Sequence, residues 1–127
     1  MSVTVTELLD LATELRADPR EISWRGAISR GYYAAFHHAD VWHQALPSHG
    51  EPPDYAGGKH HELACRLTKP TLPSADQRRT LSVTAGYILR DGHRLRVKAD
   101  YHLNEGITAS ETDQLLISAR KLVARLI

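Results

Sequence analysis

Arg90, Arg94 and Lys98 recur at i, i+4 and i+8 in the stretch from Leu89 to Leu103, so a helix there lines three cations along one stripe with His93 and Arg96 beside it. Such a stripe suits a polyanion. Asp100-Tyr101-His102 follows directly and brings an aromatic hydroxyl and an imidazole to the end of the same helix, ahead of the turn-forming Asn104-Glu105-Gly106. An imidazole can take the proton from an RNA 2′-hydroxyl or protonate the leaving oxygen, and a guanidinium can stabilise charge on the phosphorane. Arg96 and His102 could therefore cleave a phosphodiester without a metal, with Tyr101 adding a hydrogen bond. On a continuous helix, positions i and i+6 lie about 120° apart. The pair converges only where the helix ends or bends near Asp100, or where a second subunit brings another pair alongside. The plainer reading of the stripe is a solvated face, partly neutralised by Asp91 and Asp100.

A second polar group, Arg30, Tyr33 and His37, stands at i, i+3 and i+7, about 10 Å from end to end on one helix face. Read functionally, Arg30 binds phosphate there. Read structurally, Arg30 makes a buried or subunit-interface ion pair, for example with Asp100, while Tyr32, Tyr33 and Phe36 pack. His61 and Cys65 have the i, i+4 spacing that can chelate zinc, yet no third or fourth ligand is signposted nearby. The adjacent pairs His37-His38 and His60-His61 point their rings to different sides of a helix and read as ordinary surface or buried histidines. Gly57-Gly58-Lys59 lacks the first glycine of a phosphate-binding loop and the Ser or Thr after its lysine. No metal or other cofactor is expected.

These groups have to be positioned by helices. Thr4 and Glu7 are spaced as a capping box before Leu8, Leu11, Ala12 and Leu15, which predicts a first helix over about 5–17. From Ser23, Trp24, Ala27, Ile28, Gly31, Ala35, Ala39, Trp42 and Ala45 form a seam at three- and four-residue steps, with no breaker before Pro47. Three prolines and three glycines fall within 47–58, the composition of a loop free to move rather than of a packed element. Lys59 to Lys69 reads as a short helix stopped by Pro70 and Pro73. Ser74-Ala75-Asp76-Gln77 is spaced as a second capping box ahead of a long helix that carries the cationic stripe at its end. Thr108 or Ser110 caps a last helix whose apolar face is Leu115, Leu116, Ala119, Leu122, Val123 and Leu126. The expected fold is all-α: an antiparallel up-and-down bundle of four to five helices forming one domain over 1–127.

With 127 residues the chain is long enough to bury a core without staples. A net charge of +1 argues against general electrostatic binding of nucleic acid, so any RNA contact depends on local clustering. One cysteine excludes an internal disulfide, and no apolar run follows a basic start or spans a bilayer. The expectation is a cytoplasmic protein with no membrane contact.

The run Trp24-Arg25-Gly26-Ala27-Ile28-Ser29-Arg30-Gly31-Tyr32-Tyr33-Ala34-Ala35-Phe36-His37, followed by Leu95-Arg96-Val97-Lys98-Ala99-Asp100-Tyr101 and a last amphipathic helix, resembles the HEPN (higher eukaryotes and prokaryotes nucleotide-binding) domain family over roughly residues 20–127. The resemblance implies a small helical bundle that forms a homodimer, here through its second and fourth helices. In many members it also implies a metal-independent endoribonuclease of toxin–antitoxin or defence type. Carried over, the family's arginine–histidine pair falls on Arg96 and His102, with Arg90, Arg94 and Lys98 holding flanking RNA backbone. A minimal nucleotidyltransferase antitoxin is an implied partner, with Tyr101 as the residue it would modify. The competing expectation is a non-catalytic module that binds nucleotide or such a partner.

Overall fold

The computed structural model describes residues 2–127 and is built from five helices: α1 (Val5–Ala17), α2 (Glu21–Gln44), α3 (Lys59–Thr68), α4 (Arg78–Tyr101) and α5 (Ala109–Arg125). No strand occurs among the described residues. The predicted all-helical bundle is what the chain forms. α1 and α5 start where local chemistry says they should. Thr4 Oγ1 accepts from the Glu7 N–H while Glu7 accepts from the Thr4 N–H, both at 3.1 Å, and Thr108 with Glu111 repeats the arrangement at 3.0 Å.

α3 starts at Lys59 as predicted, while the predicted starts of α2 and α4 need correction. α2 begins at Glu21, ahead of Ser23, because Asp18 organises the turn after α1. Its carboxylate accepts from the Arg20 N–H and the Ser23 hydroxyl, and its carbonyl accepts from the Trp24 indole. The box at Ser74–Gln77 does not form. Asp76 takes the role instead, accepting from the Arg78 N–H at 2.9 Å and pairing with the Arg78 guanidinium, so α4 starts two residues after the aspartate.

α2 is the central element. It packs against α1, α4 and α5, while α3 docks chiefly on α4. The small-residue seam makes this possible: Ala27, Gly31, Ala35 and Ala39 are all buried on α2. One apolar cluster joins Tyr32 and Phe36 to Leu63, Leu67, Leu89 and Leu122; a second joins Ala27 and Ile28 to Ala99, Ile107, Leu115 and Leu116. α3 lies so close to α4 that a Cβ on Gly86 would meet the Thr68 nitrogen at 2.9 Å and the Ala64 carbonyl oxygen at 3.0 Å. The 47–58 loop, expected to be free, is tied down along its first half. Gly50 donates to Thr71 Oγ1 and accepts from Arg66, and the Glu51 N–H donates to the Lys69 carbonyl.

Candidate functional site

The end of α4 is held by a residue from α2. Buried Arg25 donates from Nη1 to the carbonyls of Lys98, Ala99 and His102 at 3.3, 2.9 and 3.3 Å, and from Nη2 to the Glu105 carbonyl. The Ala99 carbonyl is one that the helix end leaves without a backbone partner, while Lys98 and His102 also accept from the His102 and Glu105 N–H groups, so one guanidinium finishes α4 and fixes the turn beyond it. Glu21 completes the clamp, accepting from Arg25 Nε and from the Ile107 N–H. Nothing in the spacing of Arg25 announces this role, because the acceptors are more than seventy positions away.

On that braced end, Arg96 Nε lies 2.8 Å from Asp100 Oδ2, one turn on, and its guanidinium sits 5.5 Å from the centre of the Tyr101 ring. Ser29 on α2 donates to the same Asp100 oxygen. Asp100 is thus engaged by Arg96 and Ser29, and the Arg30–Asp100 pair considered from sequence is not formed. The Arg96 side chain keeps 28% exposure, enough to meet a ligand. His102 caps the helix and puts Nδ1 2.6 Å from Glu105 Oε2. A carboxylate on one ring nitrogen orients an imidazole and leaves Nε2 to act. Within one chain, then, Arg96 and His102 each have their own carboxylate. The helix ends at Tyr101, one residue beyond Asp100, and His102 leaves helical geometry there.

The cationic stripe is less uniform than its spacing suggests. Arg90 is exposed and stacks over Tyr87; Arg94 is exposed and 3.9 Å from Asp91; Lys98 is taken by Glu111 of α5 at 3.1 Å. Two of the three cations therefore remain turned to solvent.

Sequence reasoning missed a ring cluster immediately beside Arg96. The Tyr32 hydroxyl lies 2.8 Å from His60 Nδ1, the His60 ring stacks parallel on His93 with centroids 5.0 Å apart, and the Tyr32 and His93 rings are 5.7 Å apart. Phe36 closes the back of the group, 4.3 Å from His60. The close fit depends on Gly92, where a Cβ would stand 3.0 Å from the Tyr32 ring. Burial pushes the Tyr32 phenol well above its ordinary value against the opposing charge of Arg96, so it stays protonated. Its oxygen is within hydrogen-bond distance of His60 Nδ1, with donor and acceptor set by the tautomer of the imidazole. Burial lowers both imidazoles. The neighbouring charges of His93, Arg96, Lys59 and His37 add to this for His60, and that of Arg96 adds to it for His93. Tyr32 was expected only to pack, and His60 to be an ordinary member of an adjacent pair. The signal that could have found them is aromatic and imidazole content on three separate helices, which means little until α3 is seated on α4.

His60 and His93 also line an open groove enclosed by α3, α4 and α5, with Arg90, Arg94, Lys98 and Lys121 along it and Asp91, Glu105 and Glu111 among its walls. Arg30 and Tyr33 lie on the exposed face of α2, while half-buried His37 stands between Tyr33 and the ring cluster, 5.6 Å from Phe36. Arg30 is exposed there, and Tyr33 meets His37 edge-on at 4.2 Å. His61 and Cys65 approach to 3.6 Å, and among the described residues no third metal-ligating group joins them. Among those residues, too, no helix is long and apolar enough to cross a membrane. No family model, no curated protein and no solved structure matches this chain.

Proposed function

We propose that this chain is a HEPN-like, metal-independent endoribonuclease of toxin or defence type, acting at a site shared between two copies. The observation that carries the reading is Arg96, a partly exposed guanidinium pinned by Asp100 on a helix end that also presents His102. In this reading Arg96 binds the scissile phosphate and neutralises the charge that grows on it. His102, oriented by Glu105, moves a proton as acid or base. Arg90 and Arg94 hold flanking phosphates, and Lys98 joins them once it exchanges Glu111 for RNA. The separate carboxylate partners of Arg96 and His102 favour a composite site, in which a second copy supplies the complementary residue. A nucleotidyltransferase antitoxin fits the same scheme, because Tyr101 is 66% exposed and open to modification.

Purified protein with labelled RNA in EDTA tests this. The expected products end in 2′,3′-cyclic phosphate, and Arg96→Ala and His102→Ala each lower the rate by about 100-fold or more. Sedimentation at micromolar concentration should give a dimer. Full activity in both variants removes the assignment. Absence of cleavage by folded wild type leaves the second reading, a non-catalytic nucleotide- or partner-binding module. That module is favoured by the mutual engagement of Arg96 with Asp100 and of His102 with Glu105.

A further inference from the structure

The groove enclosed by α3, α4 and α5 holds about 1640 Å³, more than the roughly 300–1,000 Å³ that a site for one small molecule needs. α4 lines it from Thr84 to Lys98, about 21 Å at 1.5 Å per residue, and His102 and Glu105 stand among its walls beyond the end of that helix. A groove so long and open suits a polymer rather than a compact ligand.

The charge along it selects a polyanion. Lys69, Arg90, Arg94, Lys98 and Lys121 line it against Asp91, Glu105 and Glu111, a surplus larger than the +1 of the whole protein. Each acid is already engaged, Asp91 by Arg94, Glu105 by His102 and Glu111 by Lys98. Lys69, Arg90 and Lys121 are exposed, and none of them reaches a carboxylate among the described residues.

Cations alone would hold any polyanion, and two ring platforms narrow the choice. Tyr87 lies under the Arg90 guanidinium at 4.6 Å and keeps 46% exposure. Tyr55 stacks on His61 with centroids 4.6 Å apart and keeps 69%. In each platform one contact holds the ring while its remaining apolar surface stays in water within the same groove, so a base that stacks there has little ordering of the ring to oppose it. A duplex keeps its base faces covered by its own stacking. Only an unpaired strand uses the cations and the rings together.

Resting on the endoribonuclease reading, we infer that this groove holds the single-stranded RNA on one side of the scissile bond, about four nucleotides of it, with bases stacked on Tyr55 and Tyr87 and phosphates on Arg90, Arg94 and Lys121. The strand follows α4 and reaches His102 at its end. Stacking and phosphate contacts read no base edge, so the groove takes any sequence.

An octamer of 2′-O-methyl RNA keeps the bases and phosphates but has no 2′-hydroxyl to attack phosphorus, so wild-type protein binds it without cutting it. Fluorescence anisotropy follows binding at several salt concentrations. Wild type is expected to prefer the octamer by about tenfold or more over the same sequence as a duplex and over inorganic polyphosphate of equal charge. Tyr55→Leu and Tyr87→Leu, which keep apolar bulk at exposed positions, should each weaken binding about fivefold or more, while Tyr55→Trp and Tyr87→Trp keep it. Arg94→Gln and Lys121→Gln should each flatten the dependence of log Kd on log salt by about 0.7. Leucine variants that bind as wild type does, or a duplex or polyphosphate that binds as tightly as the octamer, overturn the inference. Cleavage of ordinary RNA alongside those results leaves the endoribonuclease reading standing. Octamer binding that depends on both tyrosines, with no cleavage of ordinary RNA, supports the strand groove and removes the endoribonuclease reading.

Discussion

Arg25 shows how much one buried charge can settle. Its guanidinium meets four carbonyls and the Glu21 carboxylate, so all three of its nitrogens are engaged and the desolvation of the ion is offset. Methionine at this position keeps the apolar stem but takes the guanidinium from the Ala99 and Glu105 carbonyls and from the Glu21 carboxylate. Arg25→Met is expected to destabilise the fold by about 3 kcal/mol, since hydrogen bonds to a charged group contribute about 1.5–3 kcal/mol each. Urea unfolding reads this directly. Because the clamp also sets the turn that carries Glu105, the variant should lose the His102–Glu105 contact, seen as a changed His102 imidazole signal by NMR. By contrast, the exposed Arg94–Asp91 pair is 3.9 Å long, and breaking it should change stability by no more than about 0.5 kcal/mol.

Among the elements, α3 matters beyond its ten residues because it brings His60 to the site. It reaches α4 through the bare backbone at Gly86, and the loop before it is tied to its far end through Arg66 and Lys69. A methyl at Gly86 has backbone atoms of Thr68 and Ala64 within about 3 Å, so α3 must back away rather than a side chain turn aside. Alanine gains about 1 kcal/mol in helix propensity, which the overlap outweighs. Gly86→Ala is therefore expected to cost about 1–2 kcal/mol net and to loosen His60 from Tyr32 while leaving α1 and α5 intact. Hydrogen exchange by helix would show the loss of protection confined to α3 and the facing turn of α4.

At the scale of the whole molecule, three half-buried or buried histidines respond to pH together. His43, His60 and His93 all have lowered pKa values, in each case with burial as the first cause. Below the ordinary histidine value of 6.5 the unfolded chain binds protons that the folded chain refuses, so stability falls as pH drops through that value and levels off below the folded values. Asp18 and Asp76 act in the same direction but lower down. Their carboxyls are held below the ordinary value of 3.8 by hydrogen bonds from Arg20 and Arg78, so their contribution is lost only as pH falls beneath it. Two separate drops in the urea midpoint are expected, one beginning near pH 6.5 and one beginning near pH 3.8. Replacing His60 and His93 with glutamine should shrink the first and leave the second.

The chain alone determined whatever depends on neighbours within a turn or two. The capping boxes at Thr4 and Thr108, the buried seam of α2 and the apolar face of α5 all follow from spacing, because their partners are at most a few residues away. Even locally, competition can decide otherwise: Asp76, paired with Arg78, displaced the Ser74 box that the same stretch also permits. The tertiary structure alone decided which polar groups meet. Tyr32 and His60 are 28 positions apart, Ser29 and Asp100 are 71 apart, and Arg25 and Glu105 are 80 apart. Each of these pairs forms only after helices with no local preference for one another are packed by burial of apolar side chains, a force that is strong but carries no direction. Spacing could show that Arg96 and His102 share a helix; only the packed bundle put His60 and His93 beside Arg96.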